Sequence, residues 1–401
     1  MKILYICSLY APHVGGGAEI SLRNLVKGMR ARGHDVTVLT TGPVAGLVTD
    51  VVDEVKVYRA GLKNIFWHHS LERRNPLARA LWHVKDSYNE SMRGYVRLVI
   101  ERERPDVVSC HNLTGWSISA WDEIKASNVP FVQVLHDLYL VCARSNRFRA
   151  GKVCLKPCNG CRLLRKRHAR ASMAASAVVG VSQYILNVMR DSGYFAGVLG
   201  KTIYNARNIP LIDLSTPINS VPVKFGYIGT LSEAKGVEWM LEEFQASNAE
   251  GTLYLAGKGE PRYEAYLKNK FASSRVVFVG YVEPREFFNT VEVCVVPSLW
   301  PEPLGMVAAE ACAYGIPVIT TRQGGLPEII KDGINGFLCD AKDKNSLRRA
   351  IERVTSDPSV YISLAKNARE SVQDFIDPDK MLKKYEDLLL DVHLTQRGVT
   401  I

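Results

Sequence analysis

The 401-residue sequence contains no uninterrupted apolar run near the ~20 residues a bilayer-spanning helix needs, which excludes an ordinary helical membrane span. It has no repeat of fixed period and no low-complexity tract, so solenoid and unstructured-linker architectures are excluded too. Acid is missing from one long window. No Asp or Glu occurs between Asp137 and Asp191, while eleven Lys/Arg fall there, from Arg144 to Arg190. A merely solvated face would intersperse both signs. This window instead predicts a cationic patch that attracts phosphates, whether of nucleic acid, anionic lipid or a phosphorylated substrate.

What is present is otherwise ordinary for a globular protein: 47% hydrophobic and 23% charged residues. The net charge of +10 is unevenly spread, with 28 Lys/Arg against 15 Asp/Glu in residues 1–200, and 23 against 26 in residues 201–401. The length exceeds the ~250–300 residues at which single cores stop growing, which predicts two domains. The opening run Met1–Cys7 passes straight into a glycine-rich turn. It reads as a buried strand rather than a signal peptide, which predicts a cytoplasmic address with reduced thiols.

Apolar runs and helical periods alternate along the chain. Strands are predicted at Lys2–Ser8, Asp35–Thr41, Asp106–His111, Pro130–His136 and Ala177–Ser182, with a helix over Ala18–Arg32. The grammar restarts at Lys224, with strands at 224–229, 252–256, 275–279, 293–296, 317–320 and 336–339. Continuous Val/Ile/Leu runs of this kind suit parallel sheets covered on both faces, and two such series predict an α/β chain of two doubly wound domains. The stretch 205–222, with Pro210, Pro217 and Pro222, reads as the linker. Helices follow at 343–355, 359–374 and 378–392, the last able to pack back on the first domain.

Four motifs carry chemistry. Gly15-Gly16-Gly17-Ala18-Glu19 joins the first strand to the first helix, where a phosphate could meet free amides. A ligand-free tight turn explains it equally well. In Trp300-Pro301-Glu302-Pro303-Leu304-Gly305-Met306-Val307-Ala308-Ala309-Glu310, one glutamate ends a strand and the other lies about two turns along the next helix. Alanines around Glu310 imply close packing, where an idle carboxylate is costly. Gly324-Gly325-Leu326-Pro327-Glu328 makes a second glycine-led helix start, and the two starts are predicted to converge on one anion site. Finally, Lys235 in Thr230-Leu231-Ser232-Glu233-Ala234-Lys235-Gly236 could neutralise a leaving diphosphate.

Taken in order, Gly-Gly-Ala-Glu at 16–19, Lys235-Gly236, Ala256-Gly257-Lys258-Gly259, Glu302-x7-Glu310, Gly324–Glu328 and Asn335-Gly336 resemble the signature of retaining nucleotide-sugar glycosyltransferases of family 4. The resemblance covers essentially the whole chain. It implies the GT-B architecture, two facing Rossmann-like domains with the active site in the cleft between them. Residues 1–204 would form the acceptor domain, 205–376 the nucleotide-sugar domain, and 377–401 a helix returning to the first. Glu310 would hold the donor ribose and Glu302 the sugar hydroxyls. Gly16, Gly17, Thr230, Lys235, Gly305, Met306, Val307, Gly324 and Gly325 would meet the rest of the donor, and His136 would touch its sugar. Thr230 stands where the family commonly has arginine, which leaves more of the diphosphate charge to Lys235. No catalytic metal is implied, and the leaving phosphate would act as base with retention at the anomeric carbon.

Nine cysteines are present, and four cluster as Cys142-x11-Cys154-x3-Cys158-x2-Cys161. The Cys158–Cys161 knuckle suits a structural zinc; a disulfide or an iron–sulfur cluster are the alternatives. This insertion, 142–170, follows His136-Asp137 and holds most of the basic window, which suits a phosphate-bearing acceptor such as a polyprenyl-diphosphate saccharide at an anionic membrane surface. Trp67, His68, His69, Arg73, Arg74, Arg79, Trp82 and Lys85 mix aromatic and basic side chains in a way that fits a lipid interface. A core position explains Trp82 equally well. The expected function is transfer of a sugar from a UDP- or GDP-type donor to a saccharide or lipid-linked acceptor in cell-surface polysaccharide or glycolipid synthesis. A nucleotide-sugar 2-epimerase and a non-enzymatic nucleic-acid-binding module are the alternatives. The latter leaves the glutamate constellation unexplained and lacks a nucleic-acid-binding motif.

Overall fold

The computed structural model describes residues 1–70, 75–210, 223–343 and 345–398. Two compact units divide the chain: Met1–Asn146 with Leu155–Asn205 and Asp379–Ile401, and Arg147–Cys154 with Ala206–Pro378. Of the linker read at 205–222, residues 211–222 lie outside the described residues, as do Arg73 and Arg74.

The first unit is built on an eight-stranded sheet. Its strands are β1 (Lys2–Cys7), β2 (Asp35–Gly42), β3 (Leu47–Val52), β4 (Val55–Gly61), β5 (Val107–Cys110) and β6 (Phe131–Leu135), followed after a short hairpin, β7 (Phe148–Arg149) and β8 (Lys152–Val153), by β9 (Ala177–Gly180) and β10 (Leu199–Thr202). The order is β10-β9-β6-β5-β1-β2-β4-β3, parallel except for the antiparallel β3–β4 pair. Strands β1, β5, β6 and β9 are buried along nearly their whole length, as apolar runs covered on both faces must be. The sequence reading passes over β3, β4 and β10. The exposed β3 lacks an apolar face, and its hairpin turns on Asp53 and Glu54, both with positive φ, rather than on the Asn-Gly or Asp-Gly that would announce it. Arg23 holds that turn by a bidentate pair to Asp53, at 2.5 and 2.8 Å. Helix Pro378–Gln396 is tied to the same unit where Arg32 and His34 bond the Glu386 carboxylate, at 2.9 and 2.8 Å.

The second unit has six parallel strands: β11 (Val223–Ile228), β12 (Gly251–Ala256), β13 (Val276–Gly280), β14 (Val293–Val296), β15 (Val318–Thr321) and β16 (Gly336–Cys339). Each lies within a residue or two of its predicted place. Their order, β13-β12-β11-β14-β15-β16, reverses between β11 and β14. Phe225, Phe244, Leu253, Val293 and Ile351 belong to the core packed on this sheet. A reversal of this kind opens a crevice at the strands' carboxyl ends, where doubly wound sheets bind ligands. The next residues after β11 and β14 are therefore where a site is expected.

Candidate active site

Both chain segments leaving that reversal point carry the predicted residues. After β14 the chain runs through Pro297 and Pro301 to Glu302, which is buried. Its Oε1 accepts from Lys235 Nζ at 2.5 Å, Ser298 Oγ at 2.6 Å and Trp300 Nε1 at 3.0 Å. Three donors on one oxygen fix the carboxylate. Among the described residues Oε2 takes no bond, so it stays available to a ligand hydroxyl. Lys235 ends the short turn Glu233–Lys235 after β11, and its ammonium lies 5.4 Å from the Trp300 ring centre. An ammonium has three donors, so an anion can be bound without breaking the Glu302 pair.

Glu310 sits in helix Met306–Ala313, whose residues 308–313 are all buried. The alanines let the helix lie close to the sheet, and that burial pushes the Glu310 carboxyl up, against the opposing pull of the Arg207 guanidinium with which it pairs. The helix starts at Gly305, in the left-handed region with φ 95°, and no side chain caps it. Its first amides are therefore presented outward. Gly324, with φ 65°, lies so near Glu302 that a Cβ would stand 2.0 Å from the Glu302 carbonyl oxygen. The Gly325 amide then donates to that carbonyl at 2.8 Å. The second glycine-led helix, Leu326–Ile329, is thus fastened to the first carboxylate's own backbone. Thr230 follows β11, its carbonyl accepting from Tyr227 Oη at 2.7 Å.

The first unit carries a separate cluster. His136 follows β6 and His111 follows β5, and the ring nitrogens His136 Nε2 and His111 Nδ1 are 2.8 Å apart, with the rings stacked at 5.0 Å. Ser109 Oγ reaches the other His111 nitrogen at 3.1 Å. Burial lowers the His136 pKa to about 4, so the ring is neutral at pH 7. Among the described residues its Nδ1 has no hydrogen-bond partner. It can therefore donate to or accept from a bound group. The two histidines line a concavity of about 210 Å³ with Gln133, Asp137 and Tyr139. In the glycine turn, Gly16 precedes helix Gly17–Ala31, and its amide already donates to Glu19 Oε2 at 2.8 Å. An anion entering there competes with the protein's own carboxylate.

Sequence reasoning missed His111, Arg207, Ser298 and Trp300. His111 ends a buried strand as His136 does, so the same argument would have found it. Arg207 stands 103 residues from Glu310, and nothing local announces that pair.

Of the aromatic residues read at a lipid interface, Trp82 takes the core position that is its alternative. Trp82 is buried with its Nε1 on the Phe66 carbonyl at 2.9 Å, and Trp67 Nε1 donates to Thr41 Oγ1 at 3.1 Å. None of the nine cysteines, all of them among the described residues, is joined in a disulfide. The Cys161 thiol is pushed up to about 11, chiefly by burial, and it shares a hydrogen bond with Cys158, has Cys142 as a neighbour, and accepts from the Ala143 amide. Cys154 falls among the residues of the second unit. Among the described residues, no group of three or more His, Cys, Asp or Glu is already gathered to hold a metal ion, and no helix is long and apolar enough to cross a membrane.

A 42.6 kDa protein from the cps region of Klebsiella pneumoniae is 28% identical over 363 residues, covering 90% of this chain and 96% of that one. A sucrose-phosphate synthase from Thermosynechococcus elongatus superposes with a TM-score of 0.77 at 21% identity, covering 98% and 99% of the two chains. Anabaena HepE, solved with UDP-glucose, superposes with a TM-score of 0.70 at 20% identity, covering 98% and 100%. Residues 15–206 match the model of Glycosyltransferase Family 4, and residues 222–357 that of Glycosyl transferases group 1. With both sheets in the arrangement of GT-B enzymes and both halves matched, the chain belongs to glycosyltransferase family 4 and is a sugar-transferring enzyme.

Proposed function

We propose that the enzyme transfers a sugar, with retention, from a UDP- or GDP-type donor to a saccharide or polyprenyl-phosphate-linked acceptor during assembly of a cell-surface polysaccharide or glycolipid, working in the cytoplasm at the face of an anionic membrane. The observation that carries this is the pair of buried carboxylates, each matched to a cation, in the strand-to-helix unit that follows β14 at the point where the strand order reverses. The nucleotide bound by HepE and the cps-region relative support the donor and the polysaccharide setting. Glu310 takes the ribose hydroxyls and Glu302 Oε2 a hydroxyl of the sugar. Lys235, with the amides of Gly305–Val307 and Gly324–Gly325 and the Thr230 backbone, receives the diphosphate, whose departing oxygen takes the acceptor proton. Neutral His136 offers its Nδ1 to the sugar, and Gly16 and Gly17 are assigned to the donor by the family pattern.

Glu310→Ala is expected to weaken nucleoside-diphosphate binding by about 10- to 100-fold, the loss of one or two charge-assisted hydrogen bonds. Isothermal calorimetry with UDP and GDP checks it, and unchanged affinity for whichever nucleotide binds the parent ends the assignment. The same carboxylate sets a pH dependence. Its pKa is raised, and only the ionised form accepts from both ribose hydroxyls. Affinity should therefore fall with decreasing pH at a higher pH than for an ordinary carboxylate.

We also propose a structural zinc at Cys142, Cys158 and Cys161, with Cys154 implicated by spacing alone. The support is three neighbouring thiols with an amide aimed at one sulfur, an arrangement that must still close to bonds of ~2.3 Å around an ion. About one zinc per chain is expected by elemental analysis of freshly purified, reduced protein; none removes the proposal.

A further inference from the structure

Helix Pro76–Ser87 is amphipathic the wrong way round for a helix that only covers a core. Its buried side chains are Trp82 and Asp86. On the other side, Leu77, Leu81 and Val84 are spaced i, i+4, i+7 and are 69%, 50% and 58% exposed. These three share one face of a 3.6-residue helix. Helix Asn159–Leu164 packs beside it and adds Leu163, 76% exposed, while Leu155 just before it is 85% exposed. The same helices carry exposed Arg79, Lys85 and Arg162, and exposed Lys166, Arg167 and Arg170 follow the second in sequence. No acid lies between Asp137 and Asp191 and Asp86 is buried, so among the described residues the exposed acid nearest the first helix in sequence is Glu90, one against these six cations.

We infer that this face of the first unit docks on an anionic lipid bilayer, with Leu77, Leu81, Val84 and Leu163 entering the acyl boundary and the surrounding Lys/Arg meeting headgroup phosphates. Charge decides among the possible occupants. A second copy of this chain would press cations on cations. A nucleic acid would answer the cations but leave the leucines in water. An anionic bilayer satisfies both, because it offers negative headgroups directly over hydrocarbon. The helix also joins this face to the histidine concavity. On its buried side Asp86 accepts from the Gly115 amide at 2.7 Å and from Tyr139 Oη at 2.8 Å, and Tyr139 lines that concavity with His136. A lipid-linked acceptor held at the bilayer is thereby brought to the first unit's own site. The inference extends the proposed acceptor class but does not depend on the donor assignment.

Vesicle co-sedimentation of the full chain is the test. Parent protein should sediment with vesicles of 30% phosphatidylglycerol in phosphatidylcholine, not with phosphatidylcholine alone, and should be released by added salt. The double variant Leu77→Ser/Leu81→Ser changes only exposed positions and should lower the partition coefficient at least tenfold, with nucleotide calorimetry and melting temperature unchanged. Lys166→Glu/Arg167→Glu should lower it similarly and flatten the salt dependence. Parent that ignores anionic vesicles, or a Leu-to-Ser variant that binds them as parent does, overturns the inference. Binding to a short single-stranded RNA that exceeds binding to the vesicles overturns it as well. Loss of nucleotide binding in the parent would leave this result standing while removing the donor reading, so the two fail separately.

Discussion

Glu302→Gln should lower turnover by about a hundredfold or more, while nucleoside-diphosphate affinity changes only a few-fold. Three donors hold Glu302 Oε1, at 2.5, 2.6 and 3.0 Å. Glutamine keeps the shape and can still accept from Ser298 and Trp300. It loses the charge that pairs with Lys235, and it places an amide NH2 or an uncharged oxygen where Oε2 now stands. A charge placed to meet the reacting sugar matters most when positive charge grows at the anomeric carbon, and removal of one such preorganised group costs about 10²–10³ in turnover. The nucleotide touches other residues, chiefly Glu310 in the reading above, so its affinity is spared. Because the acceptor is unidentified, the rate to measure is slow donor hydrolysis, followed as nucleoside diphosphate released at saturating donor. Calorimetry supplies the affinity. A variant hydrolysing donor within about threefold of parent would remove Glu302 from the chemistry.

The buried strands of both sheets were legible because parallel strands covered on both faces are continuous apolar runs, and few other structures produce them. The exposed β3 was not legible, since an edge strand with a solvated face has no such run. Glu302 and Glu310 could be read as a pair because a single strand-to-helix unit holds both, so spacing in sequence becomes spacing in space. Lys235 lay in a recognisable pattern, yet its pairing with Glu302 is set by the order of β11 and β14 in the sheet. Arg207 illustrates the limit. It meets Glu310 only because the chain leaving the first unit passes under an alanine helix, and its local sequence, Asn205-Ala206-Arg207-Asn208, carries no period or motif. The lipid-facing residues show a different failure. The tryptophans drew attention by lying among basic residues, but the Trp82 indole N–H finds the Phe66 carbonyl, while the plain leucines beside it remain outside.

Gly324→Ala should cost the second unit several kcal/mol and abolish donor binding, a far larger effect than one methyl group ordinarily has. Two penalties combine. The residue sits at φ 65°, where an L side chain costs about 1–2 kcal/mol. In addition, the new Cβ would stand 2.0 Å from the Glu302 carbonyl oxygen, 2.5 Å from its nitrogen and 2.7 Å from the Pro301 carbonyl carbon. All three are backbone atoms, so no rotamer change relieves the contact. Either the 324–325 turn or the segment holding Glu302 has to move, and the bond from the Gly325 amide to the Glu302 carbonyl is lost with it. Gly333→Ala isolates the first penalty, because Gly333 has φ 75° but nothing within 4 Å of its would-be Cβ. It should lose only about 1–2 kcal/mol and bind nucleotide as parent does. Denaturant unfolding of the two variants beside parent, with calorimetry on each, separates strain from contact. Equal destabilisation in both, with donor binding kept in Gly324→Ala, would mean that the glycine pair serves the turn alone and does not hold the Glu302 backbone in place.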